Sequence, residues 1–373
     1  MSVAVPTRIQ DITAEYLTGL VSEIRPGIHV ESVDILRVRG YGDADNELSV
    51  STSDQISMEL KYNQGAPNDL PTRLLAKMSF AEDMECSNPE LEALFENEVL
   101  FYNRIRPDLS IETPLGLGGA YDAHNKRFIL LMEDLSPRSP HINSMMNDDD
   151  FAVVEAVLDT YARLHATYWE SPRFQTDMAW VQNQVSGSIE QMFDGSIRQH
   201  VINEMQRERF KTEFAQELGM TEEEMFFGEK ALKRHHATFP QTFLHGDAHF
   251  ANTYVLPDGT GGLLDWQVST SGFYMFDICY FIQTALSVEG RRNKERELLA
   301  FYHDRLRAHG VVNAPDAETA WLEYRRSLHH GFYLGWLTAP RENYGWEVMV
   351  TGNHRTKAAC MDHDSRKLIL ELL

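Results

Sequence analysis

The fold of this chain is decided by Pro240-Gln-Thr-Phe-Leu-His-Gly-Asp-Ala-His-Phe-Ala-Asn-Thr-Tyr-Val-Leu256 and by the stretch that follows it, Gly261-Gly-Leu-Leu-Asp-Trp-Gln267. Three apolar runs in these stretches are short enough to be strands: Thr242–Leu244, Thr253–Leu256 and Leu263–Leu264. The second and third runs are separated by Pro257-Asp-Gly-Thr-Gly-Gly262, which is a dense turn signal. The sequence therefore predicts a β-hairpin at this point.

Three oxygen-bearing side chains surround the predicted hairpin. Asn252 precedes its first strand and Asp265 follows its second, so pairing of the strands brings these two residues side by side. Asp247 lies on the loop that enters the hairpin. Asn and Asp oxygens are hard ligands that suit Mg²⁺, and an Asp-x-x-x-x-Asn loop followed by a later Asp is typical of phosphoryl-transfer sites. The pattern predicts one small site built from Asp247, Asn252 and Asp265.

A longer motif contains these residues: His245-Gly246-Asp247-x-His249-x-x-Asn252, followed by Leu264-Asp265-Trp266-Gln267. The motif resembles the aminoglycoside phosphotransferase and choline kinase-like superfamily, and its Asp-Trp-Gln ending resembles the ecdysteroid-kinase-like branch. The resemblance implies a protein-kinase-like fold, with ATP and Mg²⁺ as cofactors. It also implies Asp247 as the catalytic base, Asn252 and Asp265 as metal ligands, and His245 as a supporting residue.

The histidines of the motif leave a second interpretation open. His245, Asp247 and His249 could present ligands to zinc in a metal-dependent hydrolase. Asn252 and Asp265 would then have no role, because imidazole suits a softer ion than their oxygens do. We therefore prefer the phosphotransferase and keep the hydrolase as an alternative.

Length and composition limit the class of protein. A chain of 373 residues exceeds one ordinary hydrophobic core, so we expect two lobes. The composition, 43% hydrophobic and 24% charged, is typical of a soluble globular protein. The net charge of −22 makes nucleic acid and membrane surfaces poor partners, because both attract clustered cations. Three widely spaced cysteines and a first segment unlike a secretory signal favour a cytoplasmic location.

The first part of the chain reads as strands separated by turns, which indicates an antiparallel sheet. Between residues 91 and 105, apolar side chains recur at helical spacing, and Glu98 interrupts their stripe. A carboxylate on a buried face is costly unless it is paired, and Lys77 in the apolar strand at 73–78 is the obvious partner. The pair resembles the lysine and glutamate of kinase small lobes, which position nucleotide phosphates. A purely structural ion pair is the alternative.

The first lobe is expected to end after the buried strand at 128–132. The resemblance implies that the residues after this strand, Glu133, Asp134 and Leu135, form a hinge whose main chain meets the adenine edge. The loop that covers the phosphates stays open between Gly40-x-Gly42 and the segment at 49–55, which has no glycine.

The second lobe is predicted to be mainly helical. Residues 151–169 indicate an amphipathic helix, and His165 beside its apolar face is interpreted as a packed core residue. Residues 199–239 indicate a charged helical stretch. The segment Gly272-Phe-Tyr-Met-Phe-Asp277-Ile278 resembles the family segment whose aspartate braces the catalytic loop, so Asp277 is expected to be a supporting residue.

We therefore expect an α+β protein with a two-lobed protein-kinase-like fold. A nucleotide-binding small lobe with an antiparallel sheet would span residues 1–135, and a helical large lobe with the catalytic loop and acceptor site would span 136–373. The expected reaction moves the γ-phosphoryl group of ATP to a hydroxyl of a small molecule. A catalytically weak nucleotide-binding module is the second alternative. For the acceptor, the acidic charge suits aminoglycosides or choline, and the aromatic content of the large lobe suits a sterol-like alcohol.

Overall fold

The computed structural model describes residues 4–39, 53–79 and 91–373. Gly40, Gly42 and residues 49–52, which belong to the two candidate phosphate-covering segments, lie outside the described residues. The chain divides into two compact units, one of Met1–Leu109 with Thr113–Pro140 and one of Ser110–Glu112 with His141–Leu373. The functional division at residue 135 stays a prediction.

The first unit contains a five-stranded antiparallel sheet with the strand order β1-β2-β3-β5-β4. Its strands are β1 Val30–Arg39, β2 Asp54–Tyr62, β3 Arg73–Met78, β4 Gly116–Asp122 and β5 Arg127–Glu133. The strands predicted at 73–78 and 128–132 correspond to β3 and β5. β4 has no predicted counterpart.

One face of this sheet packs against helix α1, Ala14–Ile24. The helix begins at Thr13, whose side-chain oxygen accepts a hydrogen bond from the Tyr16 N–H (3.2 Å), as helix N-caps do. β4 approaches α1 closely at Gly118, where a Cβ atom would lie 2.6 Å from the Leu20 carbonyl oxygen. The core on this face includes Leu17, Val21, Met58, Leu74, Ala76, Leu117, Ile129 and Leu131.

The opposite face of the sheet carries helix α2, Leu91–Leu100. The rings of Phe95 on α2 and Phe128 on β5 are stacked with their centroids 4.4 Å apart. Side chains alternate between the two faces of a strand, so Lys77 lies on the face opposite its neighbour Ala76, which belongs to the α1 core. The fold therefore directs Lys77 toward the helix that carries Glu98.

The second unit is mainly helical. Its helices are α3 Phe151–Thr167, α4 Ser188–Met192, α5 Arg198–Arg207, α6 Arg209–Glu217, α7 Glu222–His236, α8 Met275–Ala285, α9 Val288–Ala308, α10 Ala317–His330, α11 Arg341–Tyr344, α12 Trp346–Asp362 and α13 Ser365–Leu370. Its strands are β6 His141–Ile142, β7 Thr242–Leu244, β8 Thr253–Val255, β9 Gly261–Leu263 and β10 Thr270–Gly272. They form two small antiparallel sheets, β6-β8-β9 and β10-β7.

Helix α8 is the centre of this unit. Every residue from Met275 to Ala285 is buried, which is expected of a helix that is mainly apolar around its circumference. It packs against α3, α9, α10 and α12. Asp277 lies in its first turn and is therefore held by a helix that is buried along its whole length.

The charged helical stretch predicted at 199–239 corresponds to three helices, namely α5, α6 and α7. Gly219 has a φ of +69°, which ends the segment before α7. Thr221 then begins α7 with a capping box, in which Glu224 contacts the Thr221 N–H in return. No helix in the described ranges is long and apolar enough to cross a membrane.

Candidate active site

The loop between β7 and β8 brings Asp247 and Asn252 into contact. The Asn252 Nδ2 group donates hydrogen bonds to the Asp247 carbonyl oxygen (2.9 Å) and to Asp247 Oδ2 (3.1 Å). The Asp247 side chain is 34% exposed, so its carboxylate remains accessible. The amide of Asn252 thus holds the Asp247 carboxylate in place, and the two side chains lie together as the spacing predicts; the role of Asp247 as a base stays a prediction.

The hairpin brings Asp265 next to this loop. β8 and β9 pair antiparallel with Thr253 opposite Leu263, and the Leu264 N–H donates to the Asn252 carbonyl at 2.8 Å. Asp265 is therefore the first residue after the paired segment, beside Asn252. Burial raises the pKa of the Tyr344 hydroxyl, and the negative charges of Asp247 and Asp265 raise it further. Both carboxylates therefore lie within electrostatic reach of one phenol.

His245 joins the loop to the hairpin through both of its ring nitrogens. Its Nε2–H donates to the Leu264 carbonyl (2.7 Å), and its Nδ1 accepts from the Asp247 N–H (3.3 Å). A backbone carbonyl can only accept and a backbone N–H can only donate, so these bonds assign the tautomer. His245 thereby fixes the spacing between Asp247 and the residue that precedes Asp265.

Asp277 braces the start of the loop. Its two oxygens accept hydrogen bonds from the His245 N–H (2.7 Å) and the Gly246 N–H (2.9 Å). Burial alone would raise the pKa of Asp277. The interaction with His165, together with the hydrogen bond from the Gly246 N–H, outweighs burial and holds the pKa below its ordinary value. Asp277 is therefore a charged anchor for the loop backbone, in the position that the resemblance implies.

His165 is a further support that the sequence did not reveal. It is fully buried, in agreement with its interpretation as a core residue. Its Nε2 also lies 3.1 Å from Asp277 Oδ2, and its Nδ1 lies 2.7 Å from the Tyr302 hydroxyl. The position of His165 beside the apolar face of a predicted helix indicates burial but not this partner, because the partner of the imidazole depends on how α3 packs.

Gly246 cannot be replaced without displacing the loop. Its φ is +85°, and a Cβ atom there would lie 2.1 Å from the Val268 carbonyl oxygen. We expect Gly246→Ala to cost about 1–2 kcal/mol for the left-handed conformation alone, and more for the backbone collision. Urea unfolding measures the loss.

Gly259 offers the matched control for this prediction. It has a φ of +87°, but a Cβ atom there would meet nothing within 4 Å. Gly259→Ala is expected to lose only the conformational part of the free energy of unfolding. Equal losses in the two variants would show that the contact with Val268 does not constrain the loop.

In the first unit, the structure places the predicted Lys77 and Glu98 side chains in direct contact. Lys77 Nζ lies 2.7 Å from Glu98 Oε1, and the two side chains are 13% and 0% exposed. The contact supplies the partner that a carboxylate on a buried helix face requires. The role of the pair in binding phosphate stays a prediction.

Two of the three backbone N–H groups in the segment predicted as the hinge already form hydrogen bonds within the protein. The Glu133 N–H donates to the Leu115 carbonyl (2.8 Å), and the Asp134 N–H donates to the Arg73 carbonyl (3.1 Å). Of the three N–H groups, that of Leu135 is the one with no hydrogen bond among the described residues. If the segment binds adenine, Leu135 is therefore its main-chain donor.

The zinc alternative finds no support in the geometry. Both ring nitrogens of His245 are engaged within the protein, and His249 Nε2 lies 3.7 Å from Asp247 Oδ2. Among the described residues, the group with metal-ligand geometry is a different one: His235, His236 and Glu323. The motif histidines are therefore structural neighbours of the site.

The residues assigned to Mg²⁺ have the chemistry that this ion requires. Because Asn252 Nδ2 makes both hydrogen bonds to Asp247, its Oδ1 is the atom left for a cation. No donor among the described residues forms a hydrogen bond with the Asp265 carboxylate, whose backbone has the left-handed φ of +64°. Two hard oxygen donors beside an accessible carboxylate fit a hydrated Mg²⁺ that completes its shell with phosphate.

Solved structures of known proteins are similar to this chain. A choline kinase from Cryptosporidium parvum Iowa II has a TM-score of 0.51 and 13% identity, with 95% of each chain covered. An ethanolamine kinase from Plasmodium vivax has a TM-score of 0.48 and 13% identity, with 90% of this chain and 83% of that chain covered. The first likeness confirms the predicted two-lobed protein-kinase-like fold. A comparison with curated proteins gives no match.

A family model gives the more specific result. The model of the ecdysteroid kinase-like family matches residues 45–311, which is more than half of the chain and includes the whole motif. The predicted superfamily and its predicted branch are both confirmed. The chain belongs to the ecdysteroid kinase-like family.

Proposed function

We propose that this protein is an ATP-dependent phosphotransferase that acts on a hydroxyl of a small molecule. The observation that carries the proposal is the arrangement of three side chains in the second unit. Asn252 holds Asp247 by hydrogen bonds, and the hairpin register brings Asp265 beside Asn252. This arrangement provides a base and two hard ligands within one small volume, as phosphoryl transfer requires.

Asp247 orients the acceptor and takes its proton. The acceptor oxygen forms a bond to the γ-phosphorus as the bond from that phosphorus to the bridging oxygen of ATP breaks, which releases ADP. The proton of the hydroxyl passes to the Asp247 carboxylate. Mg²⁺ held by Asn252 and Asp265 would offset the negative charge that develops on the phosphates. The protein supplies position and charge, with no covalent intermediate.

The nucleotide is assigned to residues of the first unit. Lys77 holds the α- and β-phosphates, and Glu98 keeps its ammonium group in place from the buried face of α2. The main chain at Glu133–Leu135 meets the adenine edge, with the Leu135 N–H as donor.

A screen for the acceptor tests the proposal. Purified protein is incubated with Mg·ATP and with polyhydroxylated steroids, aminoglycosides, choline or ethanolamine, and ADP formation is measured. We expect acceptor-dependent ADP formation by the native chain, and its loss in Asp247→Asn. Tight Mg·ATP binding without turnover on any acceptor would favour the nucleotide-binding module instead.

Removal of the Lys77 ammonium group is expected to weaken nucleotide binding by about 10–100-fold, the range of a hydrogen bond to a charged group. Lys77→Met alone would leave the fully buried Glu98 carboxylate without this partner and cost stability. We therefore combine it with Glu98→Gln, which removes the buried charge. Calorimetric titration with Mg·ADP measures the affinity.

Lys61→Met is the matched control, because Lys61 lies on the adjacent strand and its side chain is 75% exposed. The control should bind Mg·ADP as the native chain does. The double variant should recover the melting temperature that Lys77→Met loses but not the affinity. Native affinity in the double variant would leave the pair with a structural role alone.

A further inference from the structure

The imidazole of His249 is a buried polar group that the proposed mechanism does not use. The residue is only 5% exposed, and its Nδ1 is buried without a hydrogen-bond partner. Its Nε2 lies 3.7 Å from Asp247 Oδ2, which is beyond hydrogen-bond distance, and forms no hydrogen bond with another described residue. Buried polar groups are almost always paired, so this imidazole points to a partner outside the described part of the chain.

Three aromatic rings hold the His249 imidazole in place. They belong to Tyr280 on α8, Trp336 between α10 and α11, and Tyr344 on α11, and their centroids lie 6.1, 6.1 and 6.3 Å from that of the imidazole. The rings meet it edge-on, with interplanar angles of 66°, 69° and 90°. Packing therefore orients the imidazole, and its Nε2 stays available beside the Asp247 carboxylate.

The neighbouring carboxylate decides which nitrogen of His249 carries the hydrogen. A hydrogen on Nε2 is favoured, because the negative charge of Asp247 at 3.7 Å attracts the dipole of an N–H group. The Asp247 side chain is 34% exposed and can accept a hydrogen bond from a ligand. The two side chains thus present one acceptor and one donor side by side.

The hydroxyl groups of Tyr280 and Tyr344 add further donors to this surface. Neither hydroxyl forms a hydrogen bond with another described residue. Burial raises the pKa of both hydroxyls, and the charge of Asp247 raises it further, so both lie within electrostatic reach of this carboxylate and stay protonated. Apolar rings that carry hydrogen-bond donors suit a ligand with several oxygens on an apolar frame.

We propose that His249 is a specificity-determining residue of the acceptor site, an inference that rests on the proposed phosphotransfer. The reacting hydroxyl donates to the Asp247 carboxylate, and an oxygen on the neighbouring carbon atom accepts a hydrogen bond from His249 Nε2. The distance of 3.7 Å between the two side chains suits a pair of adjacent oxygens, each with one hydrogen bond of ordinary length. The acceptor is thereby a vicinal diol.

The second oxygen is a better partner for His249 than the reacting one. The reacting oxygen uses a lone pair to attack phosphorus, and a hydrogen bond donated to that oxygen would lower its nucleophilicity. An alcohol without the neighbouring oxygen would bury the Nε2–H and leave it unpaired. A site built to pair with a hydroxyl discriminates strongly against the analogue that lacks it. His249 therefore selects diols by disfavouring simple alcohols.

Two probes that differ by one hydroxyl test the proposal: 3-phenylpropane-1,2-diol and 3-phenylpropan-1-ol. Calorimetric titration of the full chain, without nucleotide, measures each affinity. We expect the diol to bind at least about tenfold more tightly, since the simple alcohol leaves a buried donor unpaired. His249→Phe should remove this preference. His249→Gln should retain it, because the side-chain amide can still donate a hydrogen bond.

His354→Phe is the matched control, because His354 is exposed on α12 and lies outside the motif. It should retain the diol preference. The melting temperature of His249→Phe should equal or exceed that of the native chain, because the substitution removes a buried polar group that has no protein partner. This readout separates binding of a ligand from a structural role of the imidazole.

Equal binding of the two probes by the native chain, absence of diol binding, or an unchanged preference in His249→Phe would each overturn the proposal. So would loss of the preference in both His249 variants together with a lower melting temperature in both. Because no turnover is measured, these outcomes are independent of the proposed phosphotransfer. A diol preference that depends on His249, in a chain that forms no ADP, would retain the binding site and reject the reaction alone.

Discussion

Asp247→Asn is expected to lower kcat by about 10²–10⁴-fold, the usual contribution of a positioned general base. The affinity for Mg·ADP should change by less than about threefold, because the proposed ligands are Asn252 and Asp265. The substitution is conservative in structure, since an asparagine oxygen can still accept the hydrogen bond that Asn252 Nδ2 donates at 3.1 Å. Steady-state rates with the acceptor identified by the screen, together with titration of Mg·ADP, separate the two effects.

This prediction fails if the variant keeps native turnover, or if nucleotide binding and turnover fall together. The first result would remove Asp247 from the chemistry. The second would make it a metal ligand or a structural residue. Asp258→Asn, in the turn of the same hairpin, controls for loss of a carboxylate nearby, and it should leave both quantities unchanged. Asp258 Oδ1 accepts a hydrogen bond from the Thr260 N–H (2.9 Å), which asparagine can also accept.

Asp265→Asn is expected to weaken Mg²⁺-dependent nucleotide binding by at least about 100-fold. Substitutions of the residues behind metal ligands already cost 10–100-fold, so loss of a charged ligand should cost more. The backbone gives no reason for a confounding loss of fold, because Asp265 has a φ of +64° and asparagine tolerates this conformation well. Titration of ATP with and without Mg²⁺ isolates the metal-dependent part.

The Mg²⁺-free affinity of Asp265→Asn should equal or exceed that of the native chain, because one negative charge near the phosphates is gone. A retained Mg²⁺ dependence would show that the ion is held elsewhere. Asp258→Asn again serves as the control for charge, since it removes one negative charge from the hairpin, as Asp265→Asn removes one beside it. A loss of the same size in both variants would indicate a general electrostatic effect rather than coordination.

The features that the sequence predicts well are set by residues that lie close together in the sequence. The hairpin is encoded by two short apolar runs around a glycine-rich turn, and the structure pairs them with Thr253 opposite Leu263. The placement of Asn252 beside Asp265 follows from that local register. The Lys77 and Glu98 contact joins residues that are further apart in the sequence. It could still be predicted, because a buried carboxylate requires a paired charge and Lys77 lies in an apolar strand.

The features that the sequence did not reveal depend on packing between distant elements. β4 contains Gly116, Gly118 and Gly119, which break the apolar alternation that marks a strand. Its glycine at 118 is explained by the approach of α1. β10 is a three-residue Thr-Ser-Gly strand that exists because it pairs with β7. The bond from His165 to Asp277 requires α3 and α8 to be in place.

A third group of features had a local signal that was missed. The stretch at 199–239 contains Gly219 followed by Thr221 and Glu224, which is a helix stop and a capping box in direct succession. Charged residues occur on both sides of this boundary, so the hydrophobic pattern does not mark it. Cap residues are therefore a better guide to helix ends here than the hydrophobic pattern.

The burial of α8 has a consequence for how this protein can diversify. The backbone at the start of the loop that carries Asp247 is tethered to Asp277, and Asp277 belongs to a helix with no exposed residue. Segments of this kind open to solvent only when most of the domain unfolds. The proposed reactive centre is thus anchored to the part of its unit that opens to solvent least often, and changes in the preferred acceptor are expected to arise in the segments around it.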